Sequence, residues 1–85
     1  MEDNDMTTAE REELILRFMA EHELALPLTP IFQNLRREEG ITFSKRTVKR
    51  RLEALEEDGF VQWLDIGRGY WEITEKGKQR VEEAD

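Results

Sequence analysis

The sequence predicts an α+β domain that is mostly α: a three-helix core, a two-stranded β-hairpin and a short closing helix. Three observations lead there. Apolar residues recur at helical spacing through roughly the first two thirds of the chain, the period then falls to two over FVQWL and YWEIT, and two glycines in DIGRG connect those runs. At 85 residues the chain has room for one core and not two. Its 38% hydrophobic content is low for a folded protein, but its regular placement argues for order.

Residues 1–7 (MEDNDMT) carry three acids without apolar periodicity and read as a flexible acidic tail, leaving residues 8–85 as the folded domain. Thr8 is the expected N-cap of a first helix running to about Glu23, with Glu10, Glu12 and Glu13 near its positive end. Leu14, Ile15, Phe18 and Met19 share its inward face. Leu16 falls on the other side and reads as a scattered surface leucine, with a dimer seam as the alternative. Pro27 makes LALPL an extended link, and Thr29 followed by Pro30 restarts a helix over 30–39 that buries Ile31 and Leu35, with Phe32 as a further candidate, and stops at Gly40.

Ser44 caps a third helix over 44–58, with Val48, Leu52 and Leu55 as its inward stripe and Gly59 as its end. In the hairpin, Val61 and Trp63 stand opposite Trp71 and Ile73 on the core face, while Tyr70 faces outward. Thr74 caps the last helix, which reaches Val81. Helix, extended link, helix, turn, helix, hairpin, helix is the order of a winged helix-turn-helix.

Charge distribution points to a ligand. The formal charge of −7 divides into +5 on the octet from Ser44 to Arg51, which contains no acid, and −12 on the other 77 residues. Around the third helix, Arg46 and Arg50 lie nearly opposite the apolar stripe, with Lys45 and Lys49 beside them. That geometry suits a helix entering a DNA major groove, where arginine can hold guanine through two donors. Arg46 and Arg50 are the expected base readers, Lys45 and Lys49 reach base edges or phosphates, and Ser44 and Thr47 are phosphate contacts at the helix N-terminus. Arg51, near the buried edge, is divided between DNA and a glutamate of helix one. Arg68 at the hairpin tip reads equally as a DNA contact and as an exposed turn residue.

Other functions find little support. The chain has no cysteine, one histidine (His22) and no glycine-rich phosphate cradle, so no catalytic residue, metal site or cofactor is expected, and the chain reads as no enzyme. No small-molecule ligand and no membrane segment are expected, and the location reads as cytoplasmic. Double-stranded DNA is the expected partner, and a homodimer stays open. The competing reading is a protein-interaction module using the acidic body.

FSKRTVKRRLEALEEDGFV followed by GYWEITEKG resembles the winged-helix regulators of archaea. The whole chain is similar to small repressor-type winged helices of halophilic archaea and their viruses. The resemblance spans Thr8 to Val81 and implies repression by operator binding, commonly as a dimer. It implies DNA contacts by Ser44, Lys45, Arg46, Thr47, Lys49 and Arg50, with Arg68 in the wing.

Overall fold

In a computed structural model describing residues 6–84, the elements run α1 (Thr8–His22), α2 (Leu28–Glu39), α3 (Lys45–Glu57), β1 (Val61–Leu64), β2 (Tyr70–Ile73) and α4 (Glu75–Ala84). This is the expected winged helix-turn-helix, with shifted boundaries. The cap of α1 is Thr7, not Thr8. Its hydroxyl accepts from the Glu10 amide while the Glu10 carboxylate accepts from the Thr7 amide, a reciprocal box satisfying two helix-end donors. Thr7 and Met6, which packs against the core, therefore belong to the folded unit. The rest of the expected tail, residues 1–5, lies outside the described residues.

Helix α2 starts at Leu28, two residues before the expected Pro30, with Pro27 as a cap that offers no side-chain acceptor. Thr29 thus lies inside the first turn. At the other end Gly40 takes φ +65°, the left-handed conformation that glycine adopts without the steric cost a side chain brings. Helix α4 extends three residues beyond the expected Val81, to Ala84, and Thr74 caps it by accepting from the Gly77 amide. The same hydroxyl donates to the Gly59 carbonyl at 2.7 Å, tying the end of α3 to the start of α4.

The core gathers Ile15, Phe18 and Met19 of α1, Ile31 and Leu35 of α2, Val48, Leu52 and Leu55 of α3, and Val61, Trp71 and Ile73 of the hairpin. Leu14 is only partly buried, whereas Leu16 is buried at 3% exposure, which overturns both its surface and its dimer-seam readings. The cause is the surroundings of α1: α3, β2 and α4 all pack against it, so more than one stripe of the helix is covered.

β1 and β2 pair antiparallel in the register Val61↔Ile73, Gln62↔Glu72, Trp63↔Trp71 and Leu64↔Tyr70. On the far side of β2, Leu26 and Trp71 exchange two backbone hydrogen bonds of 2.9 and 2.8 Å, so the α1–α2 link adds a one-residue third rung. Trp71 is 4% exposed, but Trp63 is 41% exposed and does not lie in the core as expected. Alternation sets which side of the strand Trp63 occupies; it does not guarantee that a helix lies there.

Gly77 sits where α4 crosses the root of the hairpin, and a Cβ there would overlap the Phe60 carbonyl oxygen and stand 2.7 Å from Ile73 Cγ1. Helix propensity favours alanine over glycine by about 1 kcal/mol. Overpacking of about 1–3 kcal/mol opposes it, and the rigid backbone neighbour decides the sign. Gly77→Ala is therefore expected to lower the thermal midpoint, measured by circular dichroism; a rise would show that α4 docks less closely than described.

Candidate nucleic-acid interface

The candidate interface lies on α3, whose position is set by burial of Val48, Leu52 and Leu55 on one side. Anchoring that stripe forces the opposite side into solvent, and Lys45, Arg46, Lys49 and Arg50 are all exposed there. Among the described residues, no acidic side chain pairs with Arg46, Lys49, Arg50 or Arg68, although the chain holds 20 acids. Arg51 departs from this group. Its guanidinium donates to Glu12 of α1 at 2.9 Å with both side chains about three-quarters buried, so the glutamate reading of Arg51 holds and the residue belongs to the fold.

The start of α3 is ordered by its own side chains. Ser44 is the N-cap, accepting from the Thr47 amide at 3.1 Å, and the two hydroxyls lie 3.2 Å apart. The first-turn amides and the helix dipole give this end a partial positive charge suited to an anion. Lys45 reaches back to α2, donating to the Thr29 hydroxyl at 2.9 Å. Thr29 is exposed at the start of α2, so two helix N-termini and a lysine meet on one surface. In the sequence Thr29 marks only a helix start, and its place beside α3 depends on the fold. The structure thus brings Ser44, Lys45, Arg46, Thr47, Lys49 and Arg50 together on one helix, and places Arg68 exposed on the β1–β2 loop. Lys49 and Arg68 line a common cleft between α3 and that loop.

A helix that turns four cations outward beside a hairpin is the arrangement of a winged helix. Comparison with protein-family models matches residues 13–81 to the Ribonuclease R winged-helix domain. The chain belongs to this winged-helix family. The matched stretch takes in α1 from Glu13, all of α2, α3 and the wing, and α4 as far as Val81. Comparison with curated proteins and with solved structures finds no match. The family is named for a ribonuclease domain, not for the repressor-type regulators of halophilic archaea that the third-helix and wing phrases resemble.

Two further features of this winged-helix domain lie apart from α3. His22 closes α1: its ring packs on Phe18 with centroids 4.5 Å apart, and Nε2 lies 3.1 Å from Glu38 at the end of α2. Glu21, His22 and Glu38 bring one potential metal-ligating atom each within 4.8 Å of one another, with Glu38 joining the adjacent pair from α2. Among the described residues, no helix is long and apolar enough to cross a membrane.

Proposed function

We propose that this winged-helix domain binds double-stranded DNA sequence-specifically, with α3 in the major groove, and represses transcription by occupying an operator. The observation that carries the reading is the row Arg46, Lys49 and Arg50, exposed and without acidic partners in a protein of net charge −7. Neighbouring like charges repel, and a polyanion relieves that cost. Arg46 and Arg50 read base edges, Lys45 and Lys49 take base edges or phosphates, and Ser44 and Thr47 hold a phosphate at the α3 N-terminus. Arg68 of the wing reaches the flanking backbone or minor groove.

The acidic remainder shapes how binding behaves. At physiological salt, charges beyond about 8 Å are largely screened, so the −12 body does not cancel the local patch, but it weakens contact with arbitrary sequence. The reading includes no catalytic step.

Selection of bound duplexes from a random pool at fixed salt tests the proposal. An enriched motif is expected, palindromic if two copies bind and a single half-site if one does. Lys49→Ala is expected to reduce the slope of log affinity against log salt by about one, as loss of a phosphate contact does. No enrichment, or preference for A-form RNA duplex in competition, overturns the reading. Capture of a stable protein partner through the acidic surface, with no duplex bound at any salt, favours the interaction-module alternative.

A further inference from the structure

The start of α2, the side of α3 and the wing enclose a cleft of about 780 Å³, inside the range of about 300–1,000 Å³ typical of small-molecule sites. Pro27, Pro30, Trp63 and Trp71 supply apolar walls. Trp63 is the largest exposed apolar side chain in the described residues. Its ring is nevertheless held in place: it packs on Trp71 with centroids 4.8 Å apart at 58°, and it lies so close to Gly69 that a Cβ there would overlap it. Gly69 has φ +93°, so both its backbone and its missing side chain serve to seat the indole. The result is a supported aromatic surface that faces solvent, where a planar ring can stack.

The charged groups around the cleft specify what such a ring must carry. Lys49 of α3 and Arg68 of the wing reach the cleft without acidic partners among the described residues and suit an anionic group. Glu53, one turn after Lys49 on α3, and Glu56 also line it and accept hydrogen bonds from an amino group. A flat heterocycle with an exocyclic amine and a phosphate satisfies all three.

We infer that the cleft between α3 and the wing binds a nucleoside monophosphate, stacked on Trp63 with its phosphate between Lys49 and Arg68, and that this nucleotide is an effector. The effector role rests on the DNA-binding reading: Lys49 and Arg68 serve both ligands, so nucleotide and duplex compete.

Adenosine 5′-monophosphate is the probe, titrated into the isotope-labelled full chain without DNA and followed by the Trp63 indole N–H and Gly69 amide resonances. Saturable shifts at both are expected, with adenosine binding about tenfold more weakly for want of its charged contacts and inorganic phosphate leaving the indole resonance unmoved. Trp63→Leu is expected to weaken the nucleotide by about tenfold while leaving duplex affinity unchanged, and Arg68→Ala, at the exposed wing tip, also to weaken the nucleotide. Absence of saturable shifts, binding of a single-stranded oligodeoxyadenylate without binding of the mononucleotide, or unchanged affinity in both variants overturns the site. Because that titration contains no DNA, its outcome is separate from failure of duplex binding. If both ligands bind without competing, the effector role falls.

Discussion

Replacing Arg46 and Arg50 together with alanine is expected to weaken specific duplex binding by about thirtyfold or more while leaving the fold intact. Each bidentate contact to a base contributes about 1–3 kcal/mol of discrimination, so the pair accounts for about 2–6 kcal/mol if the two act independently. The protein itself loses little, because both side chains are exposed and neither is paired with an acid among the described residues. Fluorescence anisotropy with the selected duplex measures the affinity, and circular dichroism of the same samples reports the fold. Affinity within twofold of the parent would sink the assignment of α3 as the reading helix. Arg51 is the contrasting position: its bond to Glu12 places it between α1 and α3, so its removal acts on stability rather than on base reading.

The largest stability effect is expected at Leu52, the fully buried middle of the α3 stripe. Leu52→Ala removes three carbons and leaves a cavity, at a cost of about 2–5 kcal/mol. A domain of this length has a total stability of about 4–13 kcal/mol by the usual per-residue range, so the loss is a large fraction of it. The thermal midpoint is expected to fall by about 10–30 °C, measured by calorimetry at a concentration where unfolding is reversible. A fall of only a degree or two would mean that α3 is not seated on the core as described. Duplex binding measured well below the variant's midpoint is expected to change little, because Arg46 and Arg50 lie on the opposite, exposed side of α3.

Legibility in the sequence followed the physics of each element. The apolar stripe of α3, its Ser44 cap and the Gly40 stop were readable because each depends on a few neighbouring residues. The outward row of cations followed from the same helical geometry. Apart from the local cap of α1, the features hidden in the sequence depend on the rest of the molecule. Leu16 is buried because other elements close on α1 from more than one direction, which no period in α1 records. Trp63 alternates as a core residue should, yet it lies over Gly69 and stays 41% exposed. Thr7 replaced Thr8 as the cap because the box with Glu10 requires a spacing of three, a signal that was present and overlooked. Thr29 stands beside the start of α3 because Lys45 bonds to it across 16 positions, a contact that depends on the fold.

The rung between Leu26 and Trp71 bears on self-association. A strand with a vacant backbone edge is a template on which another chain can add, and small hairpins are exposed to that hazard. Here the outer edge of β2 is occupied at Trp71 by the protein's own interhelical link. That leaves β1, four residues long, as the longer vacant edge of the hairpin among the described residues. So brief an edge gives an incoming strand few hydrogen bonds. The link that joins the first two helices therefore also works as a guard against polymerisation, and substitutions that loosen it would first be seen as insoluble protein rather than as lost recognition.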